Sequence, residues 1–196
     1  MRINSLIAAL GMVVLVACSK EGTKSSDSVR PADGAVATAT PTAPALSDAN
    51  IAALLDEVNM ADSSAGKLAS TKGTSVDVKA FGVMMMNDHH ALRKAGQDLV
   101  AKLSVNPVAP AGDPLPAEAK MAMDSLTATA KGPAWDQWYI AHEIATHQKV
   151  LGLIDTGLGA TQNAEMKDLL SKARPNVEAH LKRAQDIQGR LPAATN

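Results

Sequence analysis

Ile51, Leu55, Val58, Asp62, Ala65 and Ala69 follow one another at spacings of four and three residues, and three further segments repeat the pattern. Val78, Phe81, Met85, Asp88, Leu92, Ala95 and Leu99 form a second series, and Ile140, Ile144, His147, Leu151, Ile154 and Leu158 a third. Met166, Leu169, Ala173, Val177, His180, Ala184, Ile187 and Leu191 form a fourth. At about 100° per residue each series lines one face of an α-helix, a stripe that has to be buried against other stripes. The spacing predicts long helices over 48–71, 75–103, 134–158 and 164–191, with Ser47-Asp48 as an N-cap and Gly73 as a stop. "NPVAPAGDPLP", from Asn106 to Pro116, breaks the second helix, and a shorter one fits over 117–130. Pro133 suits the first turn of the third long helix, and Pro175 falls inside the fourth, where it predicts a kink. Short turns within each pair and a long link between the pairs give an all-α, four-helix bundle with a partly helical crossover.

Each stripe carries one ionisable residue where a hydrophobe is expected: Asp62, Asp88, His147 and His180. His89 flanks the second stripe and is the alternative to Asp88 as the inward group. At about 1.5 Å per residue the four lie roughly 14–22 Å below the first turn, consistent with a single polar layer. Buried charges are costly unless paired or bound to metal. The layer therefore reads either as Asp–His hydrogen bonding that fixes helix register, or as a metal site. Imidazole and carboxylate together suit iron, zinc or manganese. Glu143, four residues before His147, can act beside it, and Tyr139 can offer a hydroxyl from off the seam.

The segments "ADSSAGKLA" (Ala61 to Ala69), "MNDHHA" (Met86 to Ala91), "AWDQWYI" (Ala134 to Ile140) and "ARPNVEAHL" (Ala173 to Leu181), with His147, carry a resemblance. Together they resemble the ferritin-like domain of unknown function of bacterial proteins labelled predicted outer-membrane proteins. The likeness spans roughly 46–191. Its acid four residues before a glycine matches Asp62 and Gly66, and its Asp-His pair matches Asp88-His89. Its aromatic-Asp-x-x-Tyr motif matches Trp135, Asp136 and Tyr139, and its Pro-x-x-x-x-His-Leu matches Pro175, His180 and Leu181. Where members usually have two glutamates in the first motif, this chain has Asp62 and Ser64. The resemblance implies a ferritin-like bundle in the cell envelope and no established activity.

Familiar catalytic patterns are missing. Di-iron bundles place a Glu three residues before each ligating His, whereas Met86, Ile144 and Val177 precede His89, His147 and His180. In "HEIATH" the histidines are five apart, about 140° around the helix, which excludes the zincin arrangement. In "MMMNDHHALRKAG" consecutive side chains diverge, so His90 points to solvent and Met85 fills the core; a copper site of Met and His is the other reading of that stretch. No catalytic residue is assigned.

Upstream, a basic start and the apolar run Leu6 to Val16 read as an export signal too short to span a bilayer. "LVAC" resembles a bacterial lipobox, making Cys18 the acylated residue. The expected organisation is a signal peptide over 1–17, a lipidated Cys18 with a Ser/Thr/Ala/Pro-rich tether over 18–46, the bundle over 47–192 and a tail over 193–196. Ser19 after the cysteine resembles lipoproteins sorted to the outer membrane. A formal net charge of -1 without basic runs disfavours nucleic acid as a partner. Two readings of function follow. One is a lipid-anchored, non-catalytic envelope protein that faces the periplasm and acts with another envelope protein in maintenance or stress. The other is a metal-binding or redox bundle, with iron, zinc, manganese or copper at Asp62, Asp88 or His89, His147 and His180.

Overall fold

The computed structural model describes residues 46–192, so the expected signal peptide, Cys18, the expected tether before Leu46 and the expected tail lie outside the described residues. Five helices follow in order: α1 (Asp48–Lys72), α2 (Val76–Lys102), α3 (Leu115–Ala128), α4 (Pro133–Ala160) and α5 (Ala164–Gln188). Their ends have local causes. The Ser47 hydroxyl accepts from the Asn50 backbone N–H while the Asn50 side chain accepts from the Ser47 N–H, satisfying two donors at the start of α1. The Asn163 side chain accepts from the N–H groups of Glu165 and Met166 and so opens α5. Pro133 occupies the first turn of α4, as expected, and α5 continues through Pro175 to Gln188.

Three-residue turns make α1/α2 and α4/α5 antiparallel hairpins. Contacts between their ends set the topology. Thr161, after α4, donates to Asp48 at the start of α1, and Lys102 at the end of α2 pairs with Glu165 at the start of α5. At the opposite end, Arg190 and Arg183 meet Asp77 of α2. Consequently α2 and α4 run the same way, and the chain between them has to travel back along the bundle, the ferritin-like connection. The link carries α3 on that return. Its first part is tied to α1 by Asn50 Nδ2, which donates to the Val108 carbonyl, and by the Val108 N–H, which donates to the Ala49 carbonyl. Its end is tied by Trp135 Nε1 and Lys72 Nζ, both donating to the Leu126 carbonyl.

Asp136 explains why an acid follows Trp135. Its carboxylate is buried and accepts from both the backbone and hydroxyl of Thr74 and from the Ser75 N–H, fastening α4 to the α1–α2 turn and capping α2. The two helices of that hairpin approach so closely that a Cβ on Gly66 would lie 2.7 Å from the Gly82 carbonyl oxygen, and one on Gly82 would lie 2.7 Å from that of Gly66. Arg93 grips Asp56 with two hydrogen bonds lower on the same pair.

The core is split in two. Toward the α1–α2 turn Phe81, Met85, Leu126, Trp135, Tyr139 and Ile187 pack with Ala65, Ala69 and Ala184. Toward the other end Ile51, Leu55, Val58, Ile154, Met166, Leu170 and Val177 form a separate cluster. Along every long helix, the buried residues between the two clusters are polar.

Candidate metal centre

The dividing layer consists of Asn59 and Asp62 from α1, His89 from α2, Glu143 and His147 from α4, and His180 from α5, all buried. Their positions obey helix geometry: Asn59 and Asp62 are three apart and Glu143 and His147 four apart, so each pair shares a face. Tyr139 adds its hydroxyl one turn before Glu143.

Each histidine is oriented by an acceptor on one ring nitrogen. His89 Nδ1 lies 2.9 Å from Asn59 Oδ1, and the amide is itself fixed because Asn59 Nδ2 donates to the Leu55 carbonyl at 2.7 Å. His147 Nδ1 lies 2.8 Å from the Glu143 backbone carbonyl, and His180 Nε2 lies 3.0 Å from Asp88 Oδ2. All three partners are acceptors, so these nitrogens donate, and the lone pairs belong to His89 Nε2, His147 Nε2 and His180 Nδ1. Those are the nitrogens left without a partner. The three rings place one ligand nitrogen each within 4.8 Å of one another. The carboxylates stand at the donating edges of two rings, with Asp62 Oδ2 3.6 Å from His89 Nδ1 and Glu143 Oε2 3.5 Å from His147 Nδ1.

Burial governs the charge state of the layer. It pushes His147 down to about 4, and it holds His89 well below the usual imidazole range, with His147 and His180 adding repulsion. It drives Asp62 up to about 7, and it raises Glu143 well above the usual carboxylate range, the neighbouring Asp62 pushing it further. Tyr139 is raised by burial and then by Glu143, which lies near its hydroxyl but outside hydrogen-bonding geometry. At neutral pH the imidazoles of His89 and His147 are therefore unprotonated, the form that binds metal.

Among the described residues, the buried side-chain atoms without hydrogen-bond partners all lie in this layer: Asp62 Oδ2, both Glu143 oxygens, the Tyr139 hydroxyl and the three imidazole nitrogens. Buried polar groups are otherwise almost always satisfied. The donor set fits a transition metal: three imidazoles converge, each with an acceptor on one ring nitrogen, which is how ligating histidines are held.

The sequence-predicted residues divide accordingly. Asp62, His147 and His180 are in the layer, and so is His89, whereas Asp88 is not: its side chain is 50% exposed and reaches inward only to His180. From Met85, one turn onward is either three residues, about −60° around the helix, or four, about +40°, and α2 takes the second. Glu143 and Tyr139 stand in the layer itself, because the buried face of α4 runs through Tyr139, Ile140, Glu143, His147, Val150 and Ile154 instead of Ile144, Leu151 and Leu158. In α5 it is Leu170, rather than Leu169, that is buried. Asn59 went unpredicted; its place three residues before Asp62 was the available signal. His142 stays outside the layer, stacked on Trp138, and His90 is exposed.

Fold and site together define the class as a ferritin-like four-helix bundle whose apolar core is interrupted by three convergent histidines. The chain matches the family described as "Domain of unknown function (DUF4142)" over residues 33–187, and it belongs to that family. Among solved structures it is similar to the crystal structure of a DUF305 fragment from Deinococcus radiodurans, with 13% identity and a TM-score of 0.63. That alignment covers 76% of this chain and 99% of the other, a likeness of fold. No curated protein matches the chain.

Proposed function

We propose that the bundle holds one divalent transition-metal ion through His89 Nε2, His147 Nε2 and His180 Nδ1. The observation that carries this reading is that three buried imidazoles bring one nitrogen each within 4.8 Å of one another, each ring also having one nitrogen without a hydrogen-bond partner, in a layer that holds all such unpartnered buried atoms among the described residues. Imidazole ligation favours zinc, copper or iron over manganese, which prefers oxygen. An ion held by three imidazoles keeps a coordination position for a further ligand, which allows Lewis-acid or electron-transfer chemistry. The protein residues do the rest: Asn59, the Glu143 carbonyl and Asp88 hold the rings in the ligating tautomer. Asp62 and Glu143 keep carboxyl groups at the ring edges to balance cationic charge.

Elemental analysis by plasma mass spectrometry of the full chain, purified without an affinity metal column, tests this. Near-stoichiometric metal, lost in His147→Ala and His180→Ala, is expected. Metal-free protein that takes up no added ion would overturn the reading, leaving Asp–His hydrogen bonding as core register.

The location we propose is the bacterial envelope, most specifically the outer membrane facing the periplasm, through acylation of Cys18. Leu15-Val16-Ala17-Cys18 and the apolar run before it support this. Radioactive palmitate should label the chain in a bacterial host and fail to label Cys18→Ser; equal labelling of both would refute acylation at that residue.

A further inference from the structure

Between α1 and α4, which touch only briefly, a cleft of about 670 Å³ lies beneath α3 and the segment before it. Clefts of roughly 300–1,000 Å³ are the size that encloses small organic ligands. Its walls are apolar, including Leu54, Val58, Leu115, Met123, Leu126 and Val150. Asp62 also lines it, at 2% exposure and with Oδ2 free of any hydrogen bond.

The charge around the cleft is one-sided. Glu57, Asp62, Asp113 and Glu118 line it against Lys120 and Lys149. Both lysines are already committed, Lys149 to Glu118 and Lys120 to Asp124. Glu57, Asp62 and Asp113 have no lysine or arginine partner among the described residues. An anionic ligand would meet Glu57 and Asp113 without a cation to offset them. A wholly apolar one would leave Asp62 without the hydrogen-bond donor it already lacks, whereas a cationic donor would supply one.

We infer that this cleft binds a small organic amine with an apolar body, its ammonium group directed at Asp62 and its hydrocarbon against the walls beneath α3. The site stands on α1, α3 and α4 and shares Asp62 with the proposed metal layer, so it is tested in the metal-free protein.

The test is isothermal titration calorimetry of the chelator-treated full-length chain carrying Cys18→Ser. The probes are n-octylamine, 1-octanol and octanoate, all below their aggregation limits. One octylamine per chain is expected, bound about tenfold or more tightly than octanol, the worth of one charge-assisted hydrogen bond, with octanoate weakest. Asp62→Asn should reduce the amine to the level of the alcohol, and Ala119→Trp, placed on α3 where it fills the cleft, should abolish binding of both. Equal affinity for octylamine and octanol would overturn the inference. So would amine binding that survives in folded Ala119→Trp, a variant that stands on the partly exposed α3 and keeps the test valid should Asp62→Asn fail to fold. Because the protein is metal-free, failure of the metal reading leaves this result unchanged.

Discussion

His180 is steered by a single bond to Asp88, a carboxylate half open to solvent. Removing such a supporting acceptor typically costs about 10–100-fold in metal affinity. Asp88→Ala is therefore expected to weaken metal binding by that range in a competition assay, while the urea midpoint of the metal-free protein shifts little, because an exposed carboxylate contributes little to folding. Asp62 and His147 make opposite demands on the metal-free fold. Asp62, raised from its ordinary 3.8 to about 7, holds its proton in the folded state, so its contribution falls as pH rises between those values. His147, lowered from 6.5 to about 4, is unprotonated when folded, so its contribution is lost as pH falls through that window. The two slopes oppose each other between about 4 and 6.5. Asp62→Asn should uncover the histidine slope, making stability rise more steeply with pH there, by on the order of 1 kcal/mol per pH unit. Urea titrations in chelator at the two ends of the window check this; parallel profiles for parent and variant would show that Asp62 ionises normally.

Helix packing turns on a contact that periodicity does not reveal. Gly66 and Gly82 leave no room for a side chain, since backbone oxygen, backbone nitrogen and Cβ atoms of the facing helix stand 2.7–2.8 Å from where the Cβ would be. Gly66→Ala or Gly82→Ala has to part α1 from α2, and either should destabilise the fold by about 1–3 kcal/mol or more. Gly152, with nothing within 4 Å of its would-be Cβ, is the control. There alanine should stabilise by up to about 1 kcal/mol through helix propensity alone. Thermal melts of the three variants separate the cases, and equal shifts would mean that the α1–α2 contact relaxes freely. The same elements show what the chain discloses before it is folded. All four long helices and the α3 crossover are legible because apolar residues recur at a helical period between clear breakers. The inward choice between Asp88 and His89 is not, since both lie within one turn of Met85. The buried face of α4 is not legible either, because apolar residues surround that helix on several sides. A helix of that kind is oriented by its neighbours, here by Asp136 reaching the α1–α2 turn and Trp135 reaching α3.

Across the whole molecule, the histidines come from both hairpins, one from α2 and one each from α4 and α5. A metal bound only by the native state adds stability as RT ln(1 + [L]/Kd), about 2.7 kcal/mol at a hundredfold excess over Kd. Zinc or copper added to the chelator-treated protein should raise Tm by several degrees, and His180→Ala should abolish the rise; a shift that persists in the variant would place the ion elsewhere. Asp136→Ala, by contrast, should lower Tm with or without metal, as it removes the shared acceptor of the Thr74 and Ser75 donors and unfastens α4 from the α1–α2 turn, at a cost of roughly 1–3 kcal/mol. The position of the polar layer, between two separate apolar clusters, has a mechanical consequence. Both hairpins contribute to both clusters, so an ion held at mid-height as proposed would act as a rivet between them. Under load the metal-loaded protein should then resist the parting of its hairpins to a higher force than the metal-free one, the rivet being the last fastening to part.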